Sequence, residues 1–271
     1  MKKIGFVDYY ISEWHANNYP EWIKNAAKKL GLEYEVAYAW AERDLSPVYN
    51  ETTDEWCAKM GVEKCNTIAE LCEKSDVIVV LAPSNPEKHL GYAQEVLKYG
   101  KRTYIDKTFA PDLATAQEIF DIAKKYNTPF FSSSALRFAT ELDDKTGALA
   151  IMTTGGGSNM PEYIIHQAEM VVKCLGIGAT SVDFYQVGGR MTFTVNYDDG
   201  RSAQMSYADG LPFTALVTKE NGNTFDMMQS DFFAVLIEEM VKFFDGGEVC
   251  FDTAQTLEVM KIREWCVNKI N

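Results

Sequence analysis

Two short constellations in this sequence carry residue types that could move protons. The first is Lys101-Arg102-Thr103-Tyr104-Ile105-Asp106-Lys107-Thr108, in which Thr103 to Ile105 reads as a short strand stopping at a charged pair. Ligands of a parallel sheet bind beyond the carboxyl ends of its strands, so Asp106 and Lys107 stand where chemistry is usually placed. A surface ion pair at a strand end is the alternative reading of the same two residues. The second constellation is Glu162, His166, Glu169 and Lys173, whose spacing sets all four along one helical face. Histidine titrates near neutral pH and can take a hydroxyl proton, and a neighbouring carboxylate can orient it. On spacing alone the plainer reading is the solvated side of an amphipathic helix whose other residues, Ile164, Ile165, Ala168, Val171, Val172 and Leu175, are apolar.

The elements that must position these residues fall into two halves. In the first, strands at Lys3–Val7, Tyr34–Trp40, Asp76–Leu81, Thr103–Ile105 and from Pro129 alternate with helices at 19–30, 53–60, 67–74, 87–99 and 111–126. Val77 to Leu81 is apolar on both faces and reads as a fully buried strand. Pro20 suits the first turn of its helix and Gly31 its stop. After Phe138 the texture changes. A strand at 148–153, the loop Gly155-Gly156-Gly157-Ser158 and a helix at 161–175 precede five closely spaced strands between 181 and 227, joined by turns rich in glycine and asparagine. Two helices, at 231–244 and 253–267, follow. The expected fold is α/β: a Rossmann-like parallel sheet in a domain 1–137, and a domain 138–271 built on an open, mostly antiparallel sheet.

Composition narrows the partners. The chain has 271 residues, 46% apolar and 24% charged, which are globular values. A formal net charge of −13 argues against nucleic acid and anionic membrane surfaces, leaving small molecules. Six cysteines without CxxC pairs read as reduced thiols. The run Ile4 to Val7 is too short for a signal peptide and no apolar run spans a bilayer, so a cytoplasmic location is expected.

The order of elements and several motifs resemble the Gfo/Idh/MocA family, that of glucose–fructose oxidoreductase and inositol dehydrogenase. The stretch from Asp76 through Ala82-Pro83, His89 and Gly100-Lys101 to Asp106-Lys107-Thr108 is similar to the family's buried strand and threonine–proline–asparagine turn, its histidine helix and its Glu-Lys-Pro motif. Arg137-Phe138 also fits. The resemblance implies NAD or NADP as cofactor and hydride transfer to or from a secondary alcohol carbon of a sugar, polyol or related metabolite. It implies that Lys107 contacts nicotinamide and substrate, that His166 is the general base and that Glu162 supports it. Tyr9, Tyr10, Ile11, Trp40, Ala82, Pro83, Asn85, His89 and Asp106 would join Lys107 around the dinucleotide. Asp106 keeps the charge of the family's glutamate, whereas Thr108 replaces a proline and removes the residue that most readily takes a cis peptide bond.

The resemblance fails at the dinucleotide fingerprint. The family's early glycines become Asp8 and Tyr10, and a later small residue becomes Glu13. The ring would occupy the space phosphates need, and the carboxylates would repel them. Either the phosphate loop is rebuilt on backbone amides around Tyr9 to Ser12, or the chain has lost the dinucleotide and is a non-redox lyase or isomerase, or a small-molecule-binding protein. Asp8, His15, Glu162, His166 and Glu169 match no metal-ligand spacing, so no metal is expected. Trp14, His15 and Trp22 offer a sugar-stacking surface or simple packing. The open sheet calls for a partner copy, which predicts a homodimer or homotetramer.

Overall fold

The computed structural model describes residues 1–270. The chain divides into two compact units, Met1–Ser132 with Leu236–Cys250, and Ser133–Val235 with the segment from Phe251.

The first unit holds β1 (Lys2–Asp8), α1 (Trp14–Lys29), β2 (Tyr34–Ala41), α2 (Thr53–Met60), β3 (Glu63–Lys64), α3 (Ile68–Lys74), β4 (Val77–Val80), α4 (His89–Val96), β5 (Thr103–Ile105), α5 (Leu113–Tyr126) and β6 (Phe130–Phe131). All six strands are parallel in the order β3-β2-β1-β4-β5-β6, the doubly wound order of dinucleotide-binding folds. Every residue of β4 is buried, as its unbroken run of Val and Ile requires. The helices start where sequence chemistry allows. Thr52 and Glu55 form a capping box before α2, and Asp112 caps α5 through Thr115 N.

One helix start departs from expectation. α1 begins at Trp14, six positions before Pro20, which lies inside it. The buried stripe Ala16, Tyr19, Ile23, Ala26 and Ala27 runs through the proline, and Glu13 supplies the cap that Pro20 does not.

The second unit holds β7 (Ala150–Gly155), α6 (Met160–Leu175), β8 (Ala179–Val187), β9 (Arg190–Tyr197), β10 (Ser202–Tyr207), β11 (Thr214–Lys219), β12 (Gly222–Met227), the start of α7 (Phe232–Phe244), and α8 (Ala254–Asn268). Its sheet runs β12-β11-β7-β10-β9-β8. The sheet is mixed, because β7 pairs parallel with β10 while the other neighbours are antiparallel. α6 packs on β7 and α8 with Ile164, Ile165, Ala168, Val171 and Val172 buried. In register across the sheet, Phe225 faces Leu216 and Leu216 faces Met152, exposed by 65%, 37% and 43%. No helix among the described residues is long and apolar enough to cross a membrane.

Candidate functional site

The carboxyl end of β1 is where the fold places a dinucleotide's phosphates, and here it closes on itself. Asp8 is buried, and its Oδ1 accepts from Tyr9 N at 2.7 Å and from Ala82 N at 3.0 Å. Glu13, also buried, turns its carboxylate onto the start of α1, accepting from the backbone N–H groups of His15 at 2.8 Å and Ala16. Its Oε2 further lies 3.0 Å from His15 Nδ1. Ser12 is fixed by Glu51 through its hydroxyl and by Ser46 through its carbonyl. A helix amino terminus is favourable for an anion, and this one already has its own.

Asp106, at the end of β5, completes a buried polar group with Asp8, Glu13 and His15. Its Oδ1 accepts from Tyr104 Oη at 2.9 Å, and its Oδ2 lies 3.7 Å from His15 Nε2. Burial raises the Asp8 carboxyl well above the usual carboxylate range, Glu13 adds to this, and the bonds from Tyr9 and Ala82 oppose it. Among the described residues, no group of three or more His, Cys, Asp or Glu side chains could hold a metal ion.

The other residues expected around a dinucleotide are placed as follows. Tyr9 and Tyr10 are half-buried with their rings 5.7 Å apart, and Ile11 is fully buried. Lys88 stands 4.7 Å over the Tyr9 ring. Trp40 packs edge-on against Tyr92. Ala82 takes a left-handed φ of 65° at the β4 turn, and the Pro83 carbonyl accepts from Lys107 Nζ at 3.5 Å. Asn85 donates to Glu87. His89 is fully buried, with Nε2 on the Leu81 carbonyl and Nδ1 3.0 Å from that of Phe109, so it ties the segments after β4 and β5 together. Burial lowers its pKa more than those two carbonyls raise it. Lys107 is half-buried, and the Lys107–Thr108 peptide bond is cis although no proline follows.

Glu42 lies just beyond β2, next to Trp40 and Ala41, where the sequence leaves an acidic ribose reader unclear among Glu42, Arg43 and Asp44. Its carboxylate takes the Tyr92 hydroxyl at 2.8 Å and pairs with Lys88. The role of Glu13 as the cap of α1 is not legible in the sequence.

In the second unit, His166 Nδ1 lies 2.6 Å from Ser134 Oγ, and its ring meets Tyr163 and Phe213 edge-on. Ser134 N donates to Glu169 Oε1 at 2.9 Å, and Arg137 Nε donates to Glu169 Oε2 at 2.6 Å. Glu169 is 3% exposed, so this helical face is not a solvated stripe: it carries a buried ion pair under the histidine. Glu162 exchanges hydrogen bonds with Asn159, the cap of α6. Lys173 pairs with Asp143.

Residues 40–133 match the model of the Gfo/Idh/MocA family, described as an oxidoreductase family with an NAD-binding Rossmann fold. An uncharacterized oxidoreductase, YhhX of Escherichia coli K12, is 36% identical over 55 residues, a stretch that is 20% of this chain and 16% of that protein. Among solved structures, UDP-N-acetylglucosamine 3-dehydrogenase GnnA from Acidithiobacillus ferrooxidans superposes with a TM-score of 0.76 at 12% identity, covering 97% of this chain and 95% of that one. An oxidoreductase from Agrobacterium radiobacter, in complex with NAD⁺, L-tartaric acid and magnesium, superposes with a TM-score of 0.71 at 13% identity, covering 97% and 94%. These likenesses establish the fold. The match to the family begins at Trp40 and leaves out β1 and α1. A pyrophosphate seated on the amino terminus of α1 would compete with Glu13 for the His15 and Ala16 amides, and with Asp8 for that of Tyr9.

Proposed function

We propose that this chain, whose residues 40–133 are those of the Gfo/Idh/MocA oxidoreductase family, is an oxidoreductase of that type, acting with NAD or NADP on a secondary alcohol carbon of a sugar, polyol or related metabolite. The observation that carries the reading is the content of the matched stretch. It includes the β4 turn at Ala82-Pro83 and the strand end Asp106-Lys107, with the half-buried ammonium near the Pro83 carbonyl. In this reading Lys107 stabilises oxyanion charge on the substrate, and His166, its Nδ1 held by Ser134, accepts a proton with Glu162 in support.

The Glu13 cap favours a second reading, that the chain keeps the fold without the dinucleotide and acts as a non-redox enzyme or small-molecule-binding protein. Calorimetric titration of the cofactor-stripped protein with NAD⁺, NADH, NADP⁺ and NADPH separates the two. Micromolar binding of any one supports the first reading. A sugar and polyol screen by reduced-nicotinamide absorbance would then show activity that Lys107→Ala and His166→Ala abolish. No binding up to millimolar concentration sinks it and leaves the second. We also propose that the exposed apolar row Phe225, Leu216 and Met152 meets a second copy of the chain.

A further inference from the structure

We infer that the end of β2 reads a 2′-phosphate, so that the dinucleotide of this chain is NADP(H). The Arg43 guanidinium takes the phosphate, and Lys88, held on the neighbouring Glu42, is a second donor. The inference rests on the oxidoreductase reading and deepens it by choosing between its two cofactors. Every residue it uses lies in the first unit.

Backbone pairing fixes where Arg43 stands. β1 and β2 pair in register to Asp8 and Ala41, and the pairing runs on: Glu42 N donates to the Asp8 carbonyl at 3.1 Å and Arg43 N to that of Tyr9 at 2.7 Å. Arg43 is thereby set beside the first residue of the turn after β1. In a doubly wound sheet this is where the adenosine ribose lies, read by an acid when its 2′ position is a hydroxyl and by an arginine when it is a phosphate.

The charges at this strand end sort the two. A ribose diol donates, so its reader must be an acceptor with both oxygens open. Glu42 already takes the Tyr92 hydroxyl at 2.8 Å on Oε2 and the Lys88 ammonium on Oε1. Asp44 pairs with Lys64, which it shares with Asp54. The Arg43 guanidinium is exposed and, among the described residues, meets no hydrogen-bond or ion-pair partner. The unspent group is thus a cation with a fork of N–H donors, and a phosphate monoester offers only acceptors. Lys88 Nζ, 4.7 Å over the Tyr9 ring, keeps further N–H donors beyond the one given to Glu42. This donor set makes no use of the α1 amides that Glu13 takes.

The test is calorimetric titration of the cofactor-stripped, full-length chain and of Arg43→Ala. NADP⁺ is expected to bind the parent about tenfold more tightly than NAD⁺, the worth of one charge-assisted hydrogen bond. Arg43→Ala is expected to abolish that difference by weakening NADP⁺ alone, a selectivity that a structural role for Arg43 would not produce. Added salt should narrow the preference in the parent, because the pair is exposed. Adenosine 2′,5′-bisphosphate, which lacks the pyrophosphate, is expected to bind more tightly than 5′-AMP or inorganic phosphate. Equal or tighter binding of NAD⁺, an Arg43→Ala loss shared equally by both dinucleotides, or inorganic phosphate binding as tightly as the bisphosphate would each overturn the inference and leave the oxidoreductase reading standing. Binding of neither dinucleotide would sink both. The parent titration decides even where the variant fails to fold.

Discussion

Asp8→Asn separates the buried charge at the end of β1 from the shape of the side chain. Asparagine retains an oxygen to accept from Tyr9 N and Ala82 N, at 2.7 and 3.0 Å in the parent, but cannot ionise. The folded protein holds the Asp8 carboxyl pKa well above its unfolded value, chiefly through burial and then through Glu13. The folded state therefore binds this proton more tightly. Its contribution is fully present below the unfolded pKa, near 3.9, and is lost as pH rises toward the folded pKa, at about 1.4 kcal/mol per pH unit. The variant has no such slope. It carries instead a roughly constant cost of about 1–3 kcal/mol, because an amide N–H₂ replaces Oδ2, which has no partner to receive it. Urea unfolding between about pH 4.5 and 7.5 should thus find the variant less stable at the acid end and gaining on the parent as pH rises. Four of the five tryptophans, Trp14, Trp22, Trp40 and Trp56, lie in the first unit, so fluorescence reports on it. A difference between the two proteins that stays constant over that range would refute the argument for a buried carboxyl held protonated.

Two further outcomes follow from the second unit. Glu169→Leu alone should cost about 3–5 kcal/mol by leaving the Arg137 guanidinium buried and unpaired, and adding Arg137→Met should recover most of it in thermal unfolding; equal loss in the single and double variants would show that the pair matters for other contacts. Leu216→Lys with Phe225→Lys should convert a dimer or tetramer to monomer in light-scattering chromatography without loss of helical circular dichroism, and a monomeric parent protein would remove the proposed interface.

The sequence makes some of this plain and hides the rest for physical reasons. The parallel sheet is legible because Val77-Ile78-Val79-Val80, short and β-branched throughout, reads as a strand buried on both faces, and the buried side of α6 is legible from its apolar spacing. The start of α1 is misread because Pro20 looks like a first-turn residue, whereas the apolar stripe extends back to Ala16. Glutamate is not among the usual cap residues, so Ser12-Glu13 gives little warning that its carboxylate will take the helix start. The partner of Glu169 is Arg137, 32 positions away, and no local pattern pairs them. Spacing alone therefore makes Glu169 a surface residue when it is buried.

The same helix terminus can be satisfied by a bound anion or by an internal one, with different consequences. Where a ligand's phosphate does it, the turn is finished only on binding, and ligand concentration adds to stability. Here Glu13 finishes the turn in advance, and the turn's ionisable groups become three carboxyls about one imidazole. Such a group is poor at holding phosphate. The family match covers residues 40–133, including the β4 turn and the Asp106-Lys107 strand end, and leaves out both the segment that contains Asp8, Glu13 and His15 and all elements from β7 onward.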